Sequence, residues 1–213
     1  MANFKTHRQG AVMVGIISSI GAYSLGLVNP TESLFVWAAG FCGGLAPDLD
    51  HDASIPLRFV FRTLSVLVPV IAIQKHPELH STIGEGIGYF VLIALAILFP
   101  VRWIFGKLTV HRGIFHSVPA IFIYGCLVFL LSGRQRHDIP FQKAMAIASS
   151  LGYFAHLLLD EFSSLNFNGH RFKPKRSLGT ALDFIKPNKS VTVLAYLLLA
   201  GLMTIIVPQW NAA

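Results

Sequence analysis

Five of the 10 carboxylates of this 213-residue chain sit in two short pieces, PDLDHD (Pro47–Asp52) and HLLLDE (His156–Glu161), and HRGIFH (His111–His116) lies between them. Imidazole mixed with carboxylate is a donor set for zinc, manganese or iron, whereas an all-oxygen set would suit magnesium or calcium. His156 and Asp160 stand at i and i+4, so on a helix they share one face and can reach one ion. His111 and His116 are i and i+5, and a turn at Gly113 would bring them together where the chain enters a helix. Pro47 can end the segment before it, and Asp48 and Asp50 are then expected on the same side of an extended piece. With His7 near the N-terminus, the candidate metal ligands are His7, Asp48, Asp50, His111, His116, His156 and Asp160. One zinc takes about four ligands, so the pool suits one or two zinc ions, with manganese as the substitute. Two ions about 3.5–4 Å apart would clamp the attacking and leaving oxygens of a phosphoryl or acyl substrate and acidify a bound water. His51 and Asp52 are candidates for acid/base work beside them. Arg112 is a candidate phosphate clamp, because guanidinium pairs well with phosphate oxygens; its other reading is a basic membrane anchor. For Asp52 and Glu161 a role at the site and a plain helix cap or surface charge are equally good readings.

The elements that must position these groups are apolar. The chain is 54% hydrophobic and 13% charged, with mean hydropathy +0.61; a soluble domain usually carries about 25% charged residues. Spans need roughly 20 apolar residues each, and they are expected at about 10–29, 57–73, 83–105, 114–132, 143–161 and 190–208. A further stretch at about 33–46 is short for a crossing. The expected fold is therefore all-α: a polytopic membrane helical bundle of six or seven spans, one of them short, in a single domain over residues 1–213. The N-terminal run lacks a small-residue cleavage site and reads as a span rather than a signal peptide. Cys42 and Cys126 fall in apolar segments and read as core. GFCGG (Gly40–Gly44) lacks the Lys and Ser/Thr of a phosphate loop and reads as close helix packing.

Net charge is +7, and in a membrane chain Lys and Arg report orientation. With seven spans and the N-terminus inside, most of the 17 basic residues fall on the cytoplasmic side. The expectation is an inner (cytoplasmic) membrane protein, multi-pass, with N-terminus and metal site facing the cytoplasm. The candidate His and Asp residues converge on that same side, although Lys and Arg alone set the orientation. Ionisable groups inside or beside spans are costly unless paired, which makes them functional candidates. His76, His80, His137 and His170 lie elsewhere and read as ordinary hydrogen-bonded residues. A basic loop at about 162–189 is expected to be solvated or to meet anionic headgroups, with Phe167, Phe172 and Phe184 available to seat it.

Three functions compete. A metal-dependent hydrolase acting on a phosphoester of a membrane lipid fits a polar site at headgroup depth; its partners are the bilayer and a lipid substrate. An ion or metal transporter is disfavoured because mid-span positions show no ladder of Asp, Glu or His, Glu85 standing alone. A membrane-surface nuclease is permitted by the basic loop, yet little soluble mass remains to hold a duplex, so no nucleic acid is expected. HExxH, the motif of one protease class, is absent.

Four pieces taken together, His7 ahead of a span, PDLDH (Pro47–His51), HRGIFHS (His111–Ser117) and HLLLDEFS (His156–Ser163), resemble the bacterial YdjM/YbcI-type family of inner-membrane proteins, described as membrane-bound metal-dependent hydrolases. The resemblance covers nearly the whole chain and implies hydrolysis. The family often has Thr where this chain has Phe115. The order of motifs is also similar, more distantly, to zinc-dependent phospholipase C and P1-type nucleases, which build multinuclear zinc sites from His and Asp on helices. That likeness ranks a lipid phosphoester first among substrates.

Overall fold

A computed structural model of the chain describes residues 3–50, 55–76, 82–108, 115–133, 139–167, 172–174, 179 and 182–211. The apolar runs become helices whose ends are set by capping residues. Helix α1 (Phe4–Ser24) starts at Asn3, whose side chain accepts from the Thr6 N–H, and Gly26 at φ +67° turns the chain after its end. Helix α2 (Pro30–Leu45) opens with Pro30 and a capping box between Asn29 and Glu32. A 3₁₀ turn (Ala46–Asp50) follows. Helices α3 (Ile55–Lys75) and α4 (Ile83–Ala96) come next, then a π-helical segment (Ile97–Val101) and α5 (Arg102–Leu108). Pro100 lies in the π segment, where its missing N–H breaks the regular ladder and the wider turn absorbs the break. Helices α6 (Val118–Ser132) and α7 (Ile139–Ser163) precede a hairpin of β1 (Leu165–Phe167) and β2 (Phe172–Pro174), with Leu165 opposite Pro174. Helix α8 (Lys189–Asn211) ends the chain.

These elements form two compact units, Met1–Pro47 with Arg112–Ala213, and Asp48–His111. In the first, α7 packs against α1, α2 and α6, α1 packs against α2, and α6 packs against α8. Small residues let the backbones approach. A Cβ added at Gly44 would meet the Ala11 Cβ at 2.5 Å, and one at Gly152 would strike the Gly40 carbonyl. This is the close packing that GFCGG implied. Val36, Ala39, Phe141, Ala144 and Ala148 form one core of this unit; Cys126, Phe129, Ala146, Leu202 and Ile206 form another. In the second unit, Leu57 and Phe61 of α3 bury against Ile97, with Phe105 edge-on to Phe61 at 5.7 Å.

Among the described residues, three helical stretches are long and apolar enough to cross a membrane: Pro56–Lys75, Ile83–Gly106 and Lys189–Asn211. Leu92, Phe99, Leu194 and Leu197 on them are exposed. Such a surface would be a liability in water and is the normal one against lipid. The all-α membrane architecture is as expected. Several local expectations change. Helix α1 begins at Phe4, so His7 lies inside it rather than ahead of it. The backbone of Asp48 and Asp50 forms a 3₁₀ turn, not an extended piece. Cys42 is exposed, while Cys126 is buried as expected. Glu85 is the reciprocal partner of Thr82 in a capping box. In the basic stretch, Lys186 is buried and pairs with Asp183 at 3.2 Å, whereas Phe184 is exposed.

Candidate metal centre

Four of the seven candidate ligands meet inside the first unit. His7 comes from the second turn of α1, His116 from the residues just before α6, and His156 and Asp160 from successive turns of α7. Each is at most 2% exposed. The Asp160 carboxylate is the hub. Its Oδ1 lies 3.2 Å from His7 Nε2; its Oδ2 lies 3.5 Å from His116 Nε2 and 4.0 Å from His156 Nε2. The His7 and His156 rings stack at 3.7 Å with a 9° tilt, and His116 meets His156 edge-on at 6.0 Å.

Backbone and side chains around the hub fix the rings. His156 Nδ1 is 2.7 Å from the Gly44 carbonyl. A carbonyl only accepts, so Nδ1 carries a proton, and Nε2 is the nitrogen that faces Asp160. A ring nitrogen held this way is the usual arrangement around a metal-binding histidine. Gly44 brings its carbonyl there because no side chain separates α2 from α1 and α7. Tyr153, buried one turn before His156, donates its hydroxyl to the Phe115 carbonyl at 2.6 Å and so holds the approach to His116. Just beyond His116, Ser117 bridges Asp183, and the Val118 N–H donates to the Asp183 carbonyl at 3.0 Å. The Ser163 and Ser164 hydroxyls both donate to the Asp160 carbonyl, closing the C-terminal turn of α7. The Glu161 carboxylate accepts from the Gly179 N–H, which gives it a loop-tethering contact.

This donor set fits a divalent ion. Tetrahedral zinc with ligands about 2.0–2.1 Å away spaces its ligand atoms about 3.3 Å apart, and the three Asp160 contacts run from 3.2 to 4.0 Å. His7, His156 and Asp160 offer one atom each, all within 4.8 Å of one another. A divalent ion placed among them would take His156 Nε2 and an Asp160 oxygen as ligands together.

Asp48 is half-buried and opens the second unit. Of Asp50 only the backbone is described, and His51, Asp52, His111 and Arg112 lie outside the described residues. Reasoning from sequence missed Gly44, Tyr153 and Asp183. Tyr153 carried a signal, since i−3 from His156 is the same helix face. A backbone carbonyl such as that of Gly44 carries none.

A family model described as YdjM inner membrane protein matches residues 1–212. No curated protein matches the chain significantly, and neither does any solved structure.

Proposed function

The chain belongs to the YdjM inner membrane protein family, and on that premise we propose that it is a membrane-embedded hydrolase. In this reading it holds one divalent ion, zinc by its donor set, and cleaves a phosphoester of a membrane lipid at the cytoplasmic face. The observation that carries the reading is the buried three-histidine, one-carboxylate cluster, with the His156 ring oriented by the Gly44 carbonyl. When bound, the ion would supply a Lewis acid and a water acidified toward neutrality. The chain's own residues do the rest. Asp160 offers one oxygen toward His7 and the other toward His116 and His156, so a single carboxylate orders three rings. Burial keeps bulk water away and strengthens every charge interaction inside. Arg112 is assigned the substrate phosphate, and His51 or Asp52 the acid/base step, on residue type and sequence position alone. Asp48, Asp50 and His111 remain the sequence candidates for a second ion.

The test uses the full chain purified in detergent. Its metal content by mass spectrometry is expected near about one equivalent of zinc, and vesicles containing phosphatidic acid are expected to release phosphate. Asp160→Asn and His156→Ala are expected to lose both while keeping their helical circular-dichroism signal. A wild-type chain without metal, or an Asp160→Asn chain with full metal and turnover, overturns the reading. Metal without turnover on any lipid phosphoester leaves a metal-binding membrane protein and removes the hydrolase.

A further inference from the structure

An apolar groove of about 730 Å³ runs between α6, α7 and α8 in the first unit. Ser150 and Asn211 are the only polar side chains among those lining it. Its walls include Ile147, Leu151 and Phe154 of α7 and Met203 and Val207 of α8, all exposed. Helix α7 thus has two faces. Ser149, Gly152, His156 and Asp160 line the side toward the centre and the small-residue crossing with α2. Ile147, Leu151 and Phe154 line the groove.

We propose that this groove holds one hydrocarbon tail of the membrane lipid whose headgroup is presented at the His–Asp centre. The proposal rests on the hydrolase reading for the identity of the headgroup, and on the groove itself for the tail. Three observations support it. First, the groove begins at Val118, the second residue after His116, so its near end and the centre share one short piece of chain. Second, the strap Leu182–Phe184 serves both: Leu182 and Phe184 line the groove, while Asp183 between them takes the Val118 N–H. Third, the length fits. Along α6 the lining runs from Val118 to Phe129, about 16 Å at the rise of an α-helix, and one leaflet of hydrocarbon is about 15 Å deep. The far end is built by Phe129 and Trp210, whose rings lie 5.5 Å apart, with the Lys143 amine 5.3 Å from the Trp210 ring. A groove of fixed length with an aromatic end suits a tail better than a whole lipid or a partner helix.

The experiment uses the full chain in nanodiscs and a phosphatidic acid carrying a photoactivatable diazirine at the end of one tail. Saturable labelling of about one tail per chain is expected, mapped by peptide mass spectrometry to α6 and the C-terminal half of α8, and competed by unlabelled phosphatidic acid. Ile147→Trp and Val207→Trp fill the groove from its exposed walls. Both variants are expected to lose the saturable, competable labelling of α6 and α8, with melting temperature and metal content unchanged. Unsaturable label spread over all lipid-facing helices, or groove-filled variants that label like wild type, overturns the proposal. Labelling at the groove together with no turnover in the wild type removes the hydrolase reading and leaves the tail site standing.

Discussion

Replacing Gly44 with Ala tests the packing that aims His156. A helix-interior Gly→Ala change would ordinarily stabilise by about 0.5–1 kcal/mol. Here the new Cβ meets the Ala11 Cβ at 2.5 Å, and since ordinary contact begins at 3.4 Å the two carbons must separate by a further 0.9 Å. Overpacking of this kind costs about 1–3 kcal/mol. If α2 retreats by that distance, the 2.7 Å bond from His156 Nδ1 to the Gly44 carbonyl stretches to as much as roughly 3.6 Å and ceases to be a hydrogen bond. Stranding a buried N–H adds about 1–3 kcal/mol. The net expectation is a loss of about 1–5 kcal/mol after the helix gain is subtracted. Zinc affinity should fall about 10–100-fold, the usual cost of removing a partner behind a metal-binding histidine. Thermal melting in detergent reads the first effect, and zinc titration against a competing chelator reads the second. Adding Ala11→Gly removes the nearer clash but leaves the residue 11 Cα at 2.9 Å, so the double variant should recover part of both losses. A Gly44→Ala chain that melts at or above wild type with unchanged zinc affinity refutes the link between the α1–α2 crossing and the centre.

Three smaller changes separate positioning from capping. Tyr153→Phe keeps the ring and removes the 2.6 Å bond to the Phe115 carbonyl; a loss of about 1–3 kcal/mol is expected, with weaker zinc binding because His116 follows directly, and a chain with wild-type zinc affinity counts against that positioning. Glu85→Gln keeps a capping box competent, so stability within about 0.5 kcal/mol of wild type and unchanged metal content are expected, while Thr82→Ala should cost about 1 kcal/mol in melting experiments. An ion-path role for Glu85 would instead make Glu85→Gln a functional null with intact stability.

Much of the centre was legible because its strongest signal is local. His156 and Asp160 are one helical turn apart, a spacing that residue type and position alone reveal, and the glycines of GFCGG announce a close crossing. The rest depended on properties that hydropathy does not carry. Lys5, His7 and Arg8 lower the apolar score at the chain start, yet they lie on α1 once Asn3 caps it, so His7 enters the centre from within a helix. An alternation rule suits Asp48 and Asp50 only in extended backbone, and the 3₁₀ turn after α2 cancels it. Cys42 and Cys126 sit in equally apolar runs, and only the packing of neighbours decides that one is exposed and the other buried. The Gly44 carbonyl and the Asp183 tether are backbone contacts, invisible to residue type.

Charge balance at the hub adds a last constraint. The stacked rings of His7 and His156 stand 3.7 Å apart, and protonating both would set two cations against each other at about 4 kcal/mol with an effective dielectric near 20. One carboxylate can balance only one of them. Three neutral imidazoles and Asp160 around a divalent ion avoid that repulsion but leave one positive charge in a site at most 2% exposed. A buried charge of that kind favours an anionic ligand. With an ion bound as proposed, that net positive charge would make the centre receptive to an anionic oxygen, and the phosphoester headgroup of the proposed substrate would supply one.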